Sequence, residues 1–104
     1  MQSITKIGCE AYIIRDEKLL LGLRKGAFGA GTWGLPGGHL EPMERADETI
    51  IRELAEEIGV TLYASQAKLL AVTDDIELAT HTHYIHLTFR CNSEVTVVPL
   101  VWRK

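Results

Sequence analysis

GHLEPMERADETIIRELAEEIGV, residues 38–60, is the stretch from which both the fold and the chemistry are read. Ile50, Ile51, Leu54, Ala55 and Ile58 recur at helical spacing, and Gly59 supplies a stop just past the last turn. A helix is therefore predicted over about residues 45–58. At about 100° per residue, Glu53, Glu56 and Glu57 share an arc of roughly 100°. The expectation is one face for the core and the other for chemistry.

Working outward, residues 7–14 are rich in β-branched and aromatic side chains, Arg15, Asp16, Glu17 and Lys18 interrupt, and residues 19–23 resume an apolar run. That is the pattern of a β-hairpin. Gly26, Gly29, Gly31, Gly34, Gly37 and Gly38 crowd residues 25–38 together with Trp33 and Pro36, which predicts a loop over most of that stretch. Past the helix, residues 67–73 and 84–90 read as strands separated by an acidic turn, Asp74, Asp75, Ile76 and Glu77. Val95, Thr96, Val97 and Val98 have strand character, but Pro99 limits residues 94–102 to an edge strand or an irregular end. Strands on both sides of one helix predict an α/β or α+β layer architecture with a mixed sheet. No repeat or linker divides the chain, so residues 1–104 are read as a single domain.

The 104 residues and their 46% hydrophobic fraction suffice for one core but not two. Eleven basic against 14 acidic residues give a net charge of -3, which favours neither a nucleic-acid polymer nor an anionic membrane. An anionic substrate would need local attraction, supplied by metal ions. Cys9 and Cys91 are too few for a disulfide framework, and the first residues lack the pattern of a secretory signal, so a reduced, cytoplasmic setting is expected.

Like charges at i,i+3 and i,i+4 repel on a helix, which makes three stacked glutamates locally unfavourable. A solvated acidic face is the simplest account, since exposed Glu is a good helix former. The context favours another. Arg52 stands four residues before Glu56, where its guanidinium could hold a carboxylate. Carboxylates, a glycine-loop carbonyl and water are the ligands that Mg²⁺ or Mn²⁺ prefers. Such ions polarise a phosphoryl group and acidify water, which points to hydrolysis at phosphorus.

These residues resemble the signature of the Nudix hydrolases: Gly, five residues, Glu, seven residues, Arg-Glu, an aliphatic, any residue, Glu-Glu, any residue, Gly and an aliphatic. Gly38, Glu44, Arg52, Glu53, Leu54, Glu56, Glu57, Gly59 and Val60 match it without departure. The resemblance implies a Nudix-type α/β/α sandwich. It also implies that Glu53, Glu56 and Glu57 bind divalent metal, joined by the Gly38 carbonyl, and that Arg52 orients a carboxylate through a salt bridge. Glu44 becomes a structural or outer metal partner. For the general base Glu56 is favoured, with Glu53 as its rival.

Family members cleave a nucleoside diphosphate linked to another group. The approach WGLPGGHLE, residues 33–41, resembles that of MutT-type nucleoside triphosphate pyrophosphohydrolases, whereas the proline usual beyond the box in ADP-ribose-cleaving members is missing. The implied substrate is a (deoxy)nucleoside triphosphate, cut to monophosphate and pyrophosphate. ADP-ribose, a nucleotide sugar or a dinucleoside polyphosphate is the alternative.

Outside the box, His81, His83 and His86 tempt a zinc reading, but strand alternation would put His81 and His83 on one face and His86 on the other. Strand packing is expected instead, with His83 or Tyr84 as candidates to meet the nucleotide. His39 and Arg24 are candidates for phosphate contact, Arg24 beside Lys25. Trp33 and Phe28 are expected to pack rather than stack on a base. Asp74, Asp75 and Glu77 are expected in a solvated turn, a later metal ligand or base being the alternative.

Members of the family usually continue through another strand and a closing helix, and no helix-like segment follows the box here. The fold is thus expected to be shortened at its C-terminus. Either residues 94–102 pair with a second subunit, or dimerisation covers the exposed sheet face, so that a homodimer completes the enzyme; or the chain binds nucleotides without turning them over.

Overall fold

The computed structural model describes residues 2–15, 17–23, 33–91 and 101–103. Strands β1 (Ile4–Tyr12), β5 (Gly37–His39), β6 (Ala67–Glu77) and β7 (Thr82–Cys91) form a mixed sheet in the order β5-β1-β7-β6. β1 runs parallel to β7 and antiparallel to β5, while β6 and β7 form a long antiparallel hairpin. A second, antiparallel sheet is built around β3 (Lys18–Leu23), which pairs with β2 (Ile14–Arg15), β4 (Trp33–Gly34) and β8 (Val101–Arg103).

The expected hairpin is present, but only Ile14 and Arg15 belong to it. The rest of the apolar run is β1, which serves the other sheet. The chain changes sheets at Ile13, whose carbonyl still accepts the Leu20 N–H at 3.0 Å and whose side chain is fully buried. The loop predicted over residues 25–38 is corrected at its end: β4 and β5 are strands, because their backbones find partners on β3 and β1. Residues 24–32, with Arg24, Lys25 and Phe28, lie outside the described residues, as does the Trp33 side chain.

The acidic turn is likewise corrected. Asp74, Asp75, Ile76 and Glu77 are strand residues, paired across β6 with Ile85, Tyr84, His83 and Thr82. The turn falls at residues 78–81 instead, so His81 leaves the strand and takes a left-handed φ of 51°. The tail is described only at residues 101–103, where it pairs with β3.

Helix α1 (Ala46–Ile58) packs against one face of the mixed sheet. Its N-terminal turn is favoured by Asp47 and Glu48 against the helix dipole, and Glu48 reaches back to the Arg45 N–H at 3.1 Å. It ends at Gly59, whose φ of 68° lets its N–H reach the Ala55 carbonyl at 3.1 Å and the Val60 N–H reach Leu54 at 3.3 Å. Among the described residues α1 is the only α-helix, and no helix is long and apolar enough to cross a membrane.

Ile50 and Leu54 insert from α1 into a core made by Cys9, Ala11, Phe89 and Cys91 of the sheet, with Leu62, Ile13 and Leu20. Ile51 and Ile58 pack at its margin, but Ala55, expected in the apolar arc, is exposed. Both cysteines are buried thiols and form no disulfide. Replacing fully buried Leu54 with Ala removes contacts on which α1 depends, and we predict a loss of about 2–5 kcal/mol. Urea denaturation checks this; a loss under about 1 kcal/mol would show that α1 is held elsewhere.

Candidate active site

The register of β1 with β5 pairs Cys9 with Gly38 and Gly8 with His39. Cys9 faces α1, so Gly38 does too, while His39 points to the opposite side of the sheet. Glu53 lies directly over Gly38: a β-carbon there would collide with its carboxyl group. Only glycine lets the helix carboxylate approach the strand so closely.

The glutamates flank the buried arc instead of opposing it, which corrects the two-face expectation. Seven residues make almost two whole turns, so Glu57 follows Ile50 on nearly the same line of the helix, offset by about 20°. That turns its carboxyl toward β5, where the Gly37 backbone N–H donates to it. Loss of hydration and the charge of neighbouring Glu53 then push the Glu57 carboxyl up to about 7.

Arg52 is the sole cation in this cluster among the described residues. Its principal partner is Glu44, not Glu56 four residues on. Arg52 Nε donates to Glu44 Oε2 at 2.8 Å and Nη2 donates to Glu44 Oε1 at 3.0 Å, a two-pronged contact. Nη1 donates to Glu53 Oε1 at 2.8 Å, whereas Glu56 Oε2 is 3.5 Å away. Nη2 also faces the His39 carbonyl at 3.3 Å and Glu41 at 3.6 Å. The Arg52 hydrogen bonds, followed by one from Thr49, hold the Glu44 carboxyl down to about 2.

Four glutamates, 41, 44, 53 and 56, thus lie within 3.6 Å of one guanidinium, with Glu57 beside Glu53, and the excess negative charge is unbalanced. Hard cations would balance it. The donors suit Mg²⁺ or Mn²⁺ in type, being carboxylate oxygens beside a strand carbonyl. Among the described residues no three acidic, imidazole or thiol side chains already converge on one point, since Glu53 leans on Arg52 and Glu56 extends into solvent with 61% of its side chain exposed.

The remaining candidates separate by sheet face. His39 and Tyr84 meet, ring nitrogen to hydroxyl, and Tyr84 stacks on His86 at 5.0 Å. His86 Nδ1 in turn faces Glu10 at 3.2 Å. His83 stands on the other face, 2.6 Å from Asp74, so the histidines do not converge, as alternation required. Thr49 was not anticipated. It is fully buried, and its hydroxyl donates to Glu44 Oε1 at 2.6 Å. The signal was a lone hydroxyl beside Ile50 and Ile51 in an apolar stretch.

The model of the NUDIX domain matches residues 7–102. Nucleoside triphosphatase NudI of Escherichia coli O17:K52:H18 is 36% identical over 83 residues, covering 70% of this chain and 58% of that protein. NudI of Enterobacter sp. strain 638 is 37% identical over 82 residues, covering 69% and 57%. The chain therefore spans less than two thirds of the length of these relatives. The crystal structure of a MutT NUDIX hydrolase from Burkholderia pseudomallei superposes with a TM-score of 0.81 at 36% identity, covering 95% of this chain and 82% of that one. With the box glutamates gathered on one helix over Gly38, and with these likenesses, the chain belongs to the Nudix hydrolase family.

Proposed function

We propose that residues 1–104 act as a divalent-cation-dependent pyrophosphohydrolase domain that cuts a (deoxy)nucleoside triphosphate to monophosphate and pyrophosphate. The observation that carries this reading is the unbalanced carboxylate cluster over Gly38, with a single arginine already committed to Glu44. The triphosphatase relatives support the substrate class.

In this reading Glu53, Glu56, Glu57 and the Gly38 carbonyl hold Mg²⁺, for which Mn²⁺ can substitute. When bound, the ions neutralise phosphate charge and polarise the phosphorus–oxygen bonds. Glu56 is the base: it is exposed and only loosely approached by Arg52 at 3.5 Å, so its carboxylate can take a proton from the attacking water. Glu53 is the poorer candidate because Arg52 Nη1 already occupies it at 2.8 Å. As the water oxygen bonds to phosphorus, the bridging bond between the α and β phosphates breaks and pyrophosphate leaves. Arg52 keeps Glu53 and Glu44 in place during this exchange. His39 and Tyr84, joined beside β5, are read as nucleotide contacts and Arg24 as a phosphate contact. His83 lies on the α1 side of the sheet but is tied to Asp74 at 2.6 Å, and is the weaker of the candidates.

The reading is tested by incubating the protein and Mg²⁺ with nucleoside triphosphates, nucleotide sugars, ADP-ribose and dinucleoside polyphosphates. Triphosphates should be turned over fastest; no turnover of any substrate would sink it. Glu56→Gln should lower kcat by roughly 10²–10⁴-fold with cooperative unfolding unchanged, and near-normal turnover would move the base elsewhere.

A further expectation concerns pH. The raised Glu57 carboxyl is protonated below about 7 in the metal-free protein, so a cation must displace that proton. Mn²⁺ affinity, measured by electron paramagnetic resonance, should rise by up to about tenfold per pH unit approaching pH 7 and level off above it. Affinity that is flat from pH 5.5 to 8 would remove Glu57 from the ligand set.

A further inference from the structure

We propose that Thr49 is a positioning residue of this site, holding Glu44 in the one orientation that lets Arg52 serve both Glu44 and Glu53. The proposal rests on the reading of the site as a metal-dependent hydrolase and adds to it a residue outside the family signature.

The geometry runs outward from the core. Thr49 has no exposed surface, and its neighbours Ile50 and Leu54 are core residues. On its inner side the hydroxyl meets the buried Cys9 thiol, which burial keeps protonated. The hydroxyl proton has two acceptors within reach, Glu44 Oε1 at 2.6 Å and the Arg45 carbonyl at 3.2 Å. The shorter, charge-assisted bond prevails.

Glu44 lies on the loop before α1, and no helical or strand hydrogen bond fixes its side chain. Its local backbone contact, from the Glu41 N–H, is long at 3.4 Å. What determines its rotamer is therefore Thr49 on one side and Arg52 on the other. Arg52 is a long, flexible side chain with several carboxylates in reach. Without a fixed Glu44, its guanidinium can swing toward Glu41 or Glu56, which already stand at 3.6 and 3.5 Å. Either movement would release Glu53 from its 2.8 Å contact and from its place over Gly38. Thr49 thus connects the packed core to the metal-facing carboxylate through Glu44 and Arg52. An aliphatic side chain of the same shape would fill the space without fixing the acid.

The test compares wild type, Thr49→Val, Thr49→Ala and Thr49→Ser by two readouts. The first is the Arg52 Nε–H resonance in metal-free protein, and the second is Mn²⁺ affinity by electron paramagnetic resonance. We expect Thr49→Val to lose protection of the Arg52 Nε–H from solvent exchange and to weaken Mn²⁺ binding by roughly 10–100-fold. Thr49→Ala should follow it and supplies the comparison if the valine variant does not fold. Thr49→Ser, which keeps the hydroxyl, should restore both readouts. In a Glu44→Ala background, which removes the acceptor, Thr49→Val should add nothing further, because its effect passes through Glu44. The proposal is overturned if the valine or alanine variant keeps wild-type exchange and affinity, or if serine does no better than valine. Wild-type protein that binds no Mn²⁺ would instead defeat the metal-dependent reading, and the Arg52 resonance would then decide the role of Thr49 alone.

Discussion

The two-pronged bond between Arg52 and Glu44 is the constraint on which the rest of the site depends. It joins the middle of α1 to the loop that precedes it, across eight residues of sequence, and leaves one arm of the guanidinium for Glu53. Because the pair is partly shielded from water, with 25% and 15% of the side chains exposed, it is less screened than a surface ion pair. Its main value is geometric. A planar fork with two carboxylates attached permits few arrangements, and each permitted arrangement fixes Glu53 relative to Gly38.

The charge of the cluster has a consequence for folding as well as chemistry. Glu44 is stabilised as an anion, so its contribution to stability is present above its ordinary titration range and is lost as pH falls through that range toward about 2. Glu57 behaves oppositely. Its raised carboxyl favours the folded state at low pH, and that contribution is lost as pH rises toward about 7. The cluster therefore holds one carboxylate, on the loop before α1, settled by arginine and another, on the helix itself, left in search of positive charge.

Much of this was legible in the sequence, and the reasons differ by element. The box helix announced itself through Ile50, Leu54 and Ile58 with a glycine stop, because burial of one stripe and a left-handed cap both leave local signals. The change of sheet at Ile13 left none, since a run of apolar residues reads the same whether it continues in one sheet or crosses to another. Asp74 and Asp75 have poor strand propensity and were read as a turn, yet pairing with β7 carries the ladder through them. Arg52 was expected to pair along its own helix with Glu56, but the stronger partner lies on a loop whose approach only the fold reveals. Thr49 was visible as a letter and not as a contact.

Arg52→Lys tests the central claim most directly, because it keeps the charge and removes the fork. If geometry is what Arg52 supplies, Mn²⁺ binding to the variant weakens by roughly 10–100-fold in an electron paramagnetic resonance titration while unfolding stays cooperative. Wild-type Mn²⁺ affinity in the lysine variant would contradict the account, showing that one positive charge anywhere near Glu44 and Glu53 is enough.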